Sequence, residues 1–180
     1  MNTQRIPSLN TSSATGTNKK FFDMLQANLG LIPNMTRAMA ESPAVLEGYM
    51  SLSGALSKGS LGKKLGEELA LTLAGVNRCS YCASAHSVLG KLAGLDENQI
   101  VSALRGDATE TRVAAALKFA NTLVEKRGQI SDVDFQAVTK AGFTAGEVGE
   151  IVGHVALNIF TNYFNNVANT EIDFPLRDLP

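Results

Sequence analysis

The sequence predicts an all-α protein of about seven to nine helices, arranged as a single domain over residues 18–180. Three observations support this fold class. Apolar residues recur at spacings of three and four, capping residues and glycines separate the apolar segments, and no clear strand pattern appears. A chain of 180 residues with 44% apolar residues is long enough to bury one core.

The first three helices are predicted from local start and stop signals. Residues 21–29 and 35–40 form the first two, separated by a turn that contains glycine and proline. The third starts at Ser42, because serine caps a helix and Pro43 suits the first helical position. This helix extends to about residue 57, where a run rich in glycine and serine follows.

Two further helices carry the residues of greatest chemical interest. The first covers residues 61–74 and the second covers 78–92. Gly75 follows an apolar run and is interpreted as a helix stop, and Asn77 is interpreted as the N-cap of the next helix. Both thiols of the chain would then lie in a first helical turn.

Capping patterns also mark the helices of the second half. Asp96 with Gln99, and Thr144 with Glu147, match the capping box, in which the N-cap and N3 residues bond each other's backbone N–H groups. The remaining predicted elements are a helix at 110–126 with Thr109 as N-cap, one at 132–140 with Ser131 as N-cap, and a long last helix at 145–167.

The composition of the chain argues against secretion, membrane insertion and nucleic-acid binding. The polar arm 1–17 lacks the apolar segment of a secretory signal, and two interpretations of it stay open: disorder, or packing around a neighbour. Later apolar stretches are interrupted by polar residues well before the roughly 20 residues that a membrane span requires. A net charge of −1 with no long basic run gives no reason to expect nucleic acid as a partner. We therefore expect a cytoplasmic protein with neither membrane nor nucleic acid as a partner.

One short segment concentrates the reactive side chains. Glu67 is followed after eleven intervening residues by Cys79-Ser-Tyr-Cys82, and after three further intervening residues by His86. The segment uses the only two cysteines and one of the only two histidines. A Cys-x-x-Cys pair at a helix start can close a disulfide, and the orphan N–H groups there favour a reactive thiolate. Arg78 adds local positive charge.

The same spacing predicts a proton relay. His86 lies four residues after Cys82, so the two side chains share one helix face. Glu67 can orient His86 if the two helices pack antiparallel across their short connection. Two other interpretations stay open: a zinc site completed by Glu67 or His154, and cysteines that are only buried apolar side chains. The short spacing from Cys82 to His86 and the clustering favour redox chemistry.

The last helix carries a second polar feature. His154, Asn158, Thr161, Asn162 and Asn165 recur at spacings of three and four beside apolar neighbours. Buried amides need hydrogen-bond partners, so contacts between helices or subunits are favoured over a direct catalytic role. His154 is still able to approach the site of its own or an adjacent chain.

The Glu, Cys-x-x-Cys and His pattern resembles that of the alkylhydroperoxidase AhpD-like proteins in the carboxymuconolactone decarboxylase superfamily. Glu67, Cys79, Tyr81, Cys82 and His86 each match a pattern position, and Tyr81 occupies one where the founding members carry histidine. The densest resemblance covers about 61–104. The overall layout, including the closing segment 171–175, is similar to the uncharacterised peroxidase-related subgroup.

This resemblance implies a helical, two-cysteine hydroperoxide reductase. Cys82 would attack the peroxide, Cys79 would resolve the resulting sulfenic acid as a disulfide, and a thioredoxin-like or lipoyl dithiol would reduce the pair. A first cysteine at a helix start is often the reactive one, so the reverse order stays open. The resemblance implies no metal, haem or flavin cofactor, and it implies homo-oligomers, commonly trimers or hexamers.

Two rival functions remain beside the peroxidase. The superfamily also includes lactone decarboxylases, but that chemistry gives no reason for two cysteines at this spacing. A non-catalytic metal-binding or redox-sensing module is the rival from another class, and a bound zinc ion would block titration of the thiols.

Overall fold

The computed structural model describes residues 3–180, so Met1 and Asn2 of the predicted arm lie outside the described residues. Within this range the chain forms nine α-helices and no β-strand, which confirms the all-α class. The helices are α1 (Gly16–Leu29), α2 (Asn34–Met39), α3 (Pro43–Leu56), α4 (Gly62–Val76), α5 (Ser80–Leu92), α6 (Glu97–Leu104), α7 (Thr111–Glu125), α8 (Asp132–Lys140) and α9 (Ala145–Ala168).

The capping boxes predicted at Asp96 and Thr144 are confirmed. Asp96 accepts a hydrogen bond from the N–H of Gln99, whose side chain accepts from the Asp96 N–H in return. Thr144 and Glu147 make the same reciprocal pair at the start of α9. Ser131 is the N-cap of α8 as predicted, and it forms a further capping box.

The predictions for Gly75 and Asn77 were wrong. Helix α4 continues through Gly75 to Val76, and Asn77 is its C-cap rather than the N-cap of α5. Gly75 is needed for packing, because a Cβ atom there would collide with the backbone carbonyl oxygen of Leu104 in α6. The chain turns at Arg78, which has a φ of 51°, and Cys79 is the N-cap of α5.

Two other helix starts differ from the sequence prediction. Helix α1 starts at Gly16 rather than residue 21, because tertiary contacts hold a polar first turn that has no apolar period. In that turn the buried Asn18 amide donates to the carbonyl oxygen of Ala40 at 2.9 Å. Helix α7 has Glu110 as its N-cap in place of Thr109.

Helix α4 lies at the centre of the fold. It packs against α5, α6, α7 and α9, and Leu69, Leu71 and Leu73 are completely buried. A helix that is apolar on most sides requires neighbours on most sides. The short connection after α4 returns the chain as α5, so the middle of α4, which carries Glu67, faces the middle of α5.

The two terminal segments lie along the ends of the helices. In the arm, the N–H of Arg5 donates to the carbonyl oxygen of Ala168 at 2.6 Å, and the N–H of Leu9 donates to the carbonyl oxygen of Arg37 at 3.0 Å. In the C-terminal segment, Asp173 accepts a hydrogen bond from the Asn34 N–H at the start of α2.

None of the described helices combines the length and apolarity needed to cross a bilayer.

Candidate active site

The two cysteines lie at the start of α5 and are joined by a disulfide bond. Their Cα atoms are 5.3 Å apart, and the side chains are buried, with Cys79 0% and Cys82 3% exposed. Sγ of Cys79 accepts a hydrogen bond from the Cys82 N–H at 3.2 Å, so the first thiol acts as the side-chain cap of the helix. An orphan N–H at the helix start therefore points at the first sulfur.

Glu67 and His86 meet across α4 and α5, as the predicted relay requires. Oε2 of Glu67 is 2.7 Å from Nδ1 of His86, and the side chains are only 22% and 23% exposed. A carboxylate accepts hydrogen bonds, so Nδ1 is the donor in this pair and Nε2 is left to accept a proton. His86 lies one turn after Cys82, and both residues line the same cavity.

Tyr81, between the two cysteines, is held by structural contacts. Its hydroxyl accepts a hydrogen bond from the Met35 N–H at 3.2 Å, and its ring meets that of Phe174 edge to face, with centroids 5.8 Å apart. Burial raises the pKa of the Tyr81 phenol well above its usual range, so the hydroxyl stays protonated. Tyr81 thereby joins α5 to α2 and to the C-terminal segment.

A cavity of about 470 Å³ opens beside Cys82, Glu67 and His86. Cys79 lies behind Cys82, outside the cavity lining. Helices α1, α3, α5 and α9 supply most of an apolar wall, and the segment between α1 and α2 completes it. Residues of this wall include Leu25, Leu29, Leu31, Leu56, Leu89 and Leu157.

His154 also reaches this cavity from α9, which the sequence had left open. Gly66 makes room for its imidazole, because a Cβ atom at that glycine would lie 3.2 Å from Cε1 of the ring. Burial lowers the pKa of His154, and the nearby carboxylate of Glu150 only partly opposes this effect. The ring is therefore neutral at physiological pH.

Two asparagines of the α9 stripe have hydrogen-bond partners on other elements. Oδ1 of Asn162 accepts a hydrogen bond from Asn77 at 2.9 Å, which is a contact between helices of the kind that the sequence predicted. Asn165 instead donates through Nδ2 to Sγ of Cys82 at 3.3 Å. Sequence reasoning missed this sulfur contact, since residue spacing identifies the polar face of α9 but not the element that the face meets.

The described residues 3–180 contain no group of three or more His, Cys, Asp and Glu side chains placed to hold a metal ion. In the zinc interpretation, the two thiols and His86 would have been ligands together with Glu67 or His154. Here the two sulfurs are bonded to each other, and His86 is paired with Glu67.

A family model matches part of this chain, and several solved structures share its fold. The model of the carboxymuconolactone decarboxylase family matches residues 43–126, which include every residue of the Glu, Cys-x-x-Cys and His pattern. A search of curated proteins found no significant match.

Three solved structures share the fold. A peroxidase-related protein from Ralstonia eutropha JMP134, described as an alkylhydroperoxidase AhpD core, has a TM-score of 0.87 at 20% identity and covers 94% of this chain and 92% of its own. A peroxidase-related protein from Silicibacter sp. TM1040 gives 0.82 at 20% identity, covering 95% and 94%. The debrominase Bmp8 in complex with 2,3,4-tribromopyrrole gives 0.79 at 18% identity, covering 95% and 92%.

Proposed function

We propose that this chain is an AhpD-like member of the carboxymuconolactone decarboxylase superfamily, whose family model matches residues 43–126, and that it reduces organic hydroperoxides with the thiol pair Cys79 and Cys82. The observation that carries the proposal is the position of this pair. Cys82 borders an apolar cavity, Cys79 lies within bonding distance behind it, and the hydrogen-bonded pair of Glu67 and His86 lies at the same cavity.

The proposed cycle starts with the reduced pair. Nε2 of His86 takes the proton of the Cys82 thiol, and the Glu67 carboxylate stabilises the imidazolium that forms. The Cys82 thiolate attacks the terminal peroxide oxygen, the O–O bond breaks, and His86 returns the proton to the leaving alkoxide. Cys79 then attacks the sulfur of the sulfenic acid, releasing water and forming the disulfide.

The cycle closes with an external dithiol, for which a thioredoxin-like or lipoyl reductant is the chemical class that fits. Over one turn, a hydroperoxide and two thiols give an alcohol, water and a disulfide. The dithiol then restores both cysteines by thiol exchange. No other redox group enters this balance.

The volume and apolar lining of the cavity favour an organic hydroperoxide as substrate, rather than hydrogen peroxide alone. A volume of about 470 Å³ is within the range of small-molecule sites, and most of its lining is apolar. A hydrocarbon group on the peroxide would be removed from water there, contributing roughly 25 cal/mol per Å² of apolar surface. The polar groups of the cavity, including Glu67, His86 and His154, would face the peroxide end.

Reductive dehalogenation is a second candidate, because a dithiol supplies the two electrons that replacement of carbon-bound bromine by hydrogen consumes. The apolar cavity, with the Tyr81 and Phe174 rings in its lining, suits a flat halogenated ring. The debrominase with the same fold shows that such chemistry occurs on this scaffold. Bromide release from a bromopyrrole would separate this candidate from peroxide reduction.

The direct test is a thiol count on reduced protein. One equivalent of cumene hydroperoxide should consume both thiols and lower the intact mass by two hydrogens, as expected for a disulfide between Cys79 and Cys82. The same protein with hydrogen peroxide should react more slowly, because the apolar wall gives that substrate no binding energy. Thiols that survive cumene hydroperoxide would contradict the proposed function.

The relay gives a second prediction. Glu67→Gln and His86→Gln should each lower the rate of peroxide reduction by about 10²-fold or more, the usual contribution of a positioned acid or base. Both losses should shrink as the pH rises toward the thiol pKa, since the thiolate then forms without help. A matched control is Glu97→Gln, which removes a carboxylate from an exposed ion pair with Arg177. Unchanged rates in both relay variants would contradict the relay.

We also propose a cytoplasmic homo-oligomer of the trimer or hexamer type. Helix α9 exposes large apolar side chains on one face, with Tyr163 55% and Val167 62% accessible. Phe160, 37% exposed, extends the same face at helical spacing. Such a face supports contact with a second copy of the chain.

A further inference from the structure

We propose that Asn165 is a positioning residue that places the negative charge of the reduced pair on Cys82 rather than on Cys79. Nδ2 of Asn165 lies 3.3 Å from Sγ of Cys82, and both side chains are 3% exposed. The inference rests on the proposed function only in requiring that the pair is reduced and reoxidised. It adds a residue on α9 that none of the family's motif positions includes.

The orientation of the amide follows from its neighbours. Nδ2 is also 3.1 Å from Sδ of Met35, and a thioether can accept a hydrogen bond but never donate one. Rotating the amide would place Oδ1 against this acceptor and against the sulfur of Cys82. The NH₂ group must therefore face the two sulfurs.

The same orientation leaves Oδ1 of Asn165 buried without a partner among the described residues. A buried acceptor without a donor is destabilising, so an apolar side chain of similar size would serve packing better. The amide is favourable only through its donor side. That side points at the sulfur that lines the cavity.

In the reduced pair, the negative charge of the thiolate can lie on the sulfur of Cys79 or on that of Cys82. Cys79 accepts the N–H of Cys82 at the start of α5, which alone would favour a thiolate at the sulfur outside the cavity. Asn165 gives Cys82 a donor of its own, and a hydrogen bond to an ionised group is stronger than one between neutral groups. Burial strengthens it further, because little water competes.

The test measures the reactivity of Cys82 without any peroxide. In a Cys79→Ser background, the rate of Cys82 alkylation by iodoacetamide is recorded against pH, with Asn165 intact and with Asn165→Leu. The expected result is a rise of about one unit in the pKa of Cys82, so that alkylation at pH 7 falls about tenfold. The rate at high pH, where the thiol is fully ionised, should change little.

Asn162→Leu is the matched control in the same background. Asn162 lies three residues earlier on α9, is 0% exposed, and bonds Asn77 instead of a sulfur. The control should leave the alkylation profile of Cys82 within about twofold, although it removes an equally buried amide. If Asn165→Leu does not fold, Asn165→Asp keeps the shape and replaces the donor by a carboxylate, which should raise the pKa further.

Two outcomes would overturn the proposal. One is an unchanged alkylation profile in a folded Asn165 variant. The other is an equal shift in the Asn162 control, because general loosening of α9 would then explain the effect. Neither outcome depends on peroxide turnover, so failure of this inference and failure of the proposed function are separable.

Discussion

Replacing Cys82 by serine is expected to lower peroxide turnover by about a thousandfold or more, to the background of the uncatalysed reaction. Cys82 is the sulfur that borders the cavity, and serine supplies a hydroxyl whose pKa is too high for His86 to ionise it usefully. Cys79→Ser is expected to lose turnover as well, but at a later step. Its Cys82 should react once with peroxide and stop as a sulfenic acid, because no second thiol is present to resolve it.

The two variants are therefore matched controls for each other. Each variant is reduced and mixed with one equivalent of cumene hydroperoxide in the presence of dimedone, and its intact mass is then measured by mass spectrometry. The dimedone adduct is expected in Cys79→Ser and absent in Cys82→Ser. The reverse pattern would show that the cysteine at the helix cap attacks first, which is the order that its N-terminal position alone would favour.

Local signals were sufficient to predict most of the fold. The capping boxes at Asp96 and Thr144 are read from residues three positions apart, and neither depends on distant contacts. The pairing of Glu67 with His86 also followed from local information, since a short connection between two helices leaves an antiparallel hairpin as the simplest arrangement.

Predictions failed where the reason for a residue lies on another element. Glycine often ends a helix, so the sequence predicted a helix stop at Gly75. Glycine is needed there instead because the backbone of α6 passes too close to leave room for a Cβ atom. Asn165 has the spacing of an ordinary interhelical amide, and only the crossing of α9 over α5 brings it to Cys82. Helix crossings depend on the packing of whole surfaces, so residue spacing along one helix does not predict them.

The N-cap of α5 is also determined by contacts with another helix. Asparagine is a better N-cap than cysteine, so the sequence favoured Asn77. In the structure Asn77 instead bonds α9 on both sides, donating its side-chain N–H to Asn162 and accepting from Asn166 at its backbone carbonyl oxygen. These tertiary bonds hold Asn77 at the end of α4 and leave Cys79 as the cap, which places the first sulfur directly on an orphan N–H.

Gly75→Ala is expected to lower the free energy of unfolding by about 1–3 kcal/mol or more, the usual effect of inserting an atom into a packed interior. The new Cβ would meet the backbone carbonyl oxygen of Leu104, so α4 and α6 would have to move apart. A rotamer change cannot relieve this collision, since neither atom belongs to a flexible side chain. The displacement would also reach Cys79, which follows α4 after two residues.

The sign of this effect distinguishes packing from helix propensity. Alanine in a helix interior is ordinarily more stable than glycine by about 0.5–1 kcal/mol, so a glycine without a packing role should gain from the change. Gly149→Ala in α9 is the matched control, because a Cβ atom there meets nothing within 4 Å. Urea denaturation of both variants should show Gly149→Ala stabilised and Gly75→Ala destabilised. Equal stabilisation of the two would mean that α4 and α6 separate at little cost, and that the tight packing of α4 does not fix the position of the thiol pair.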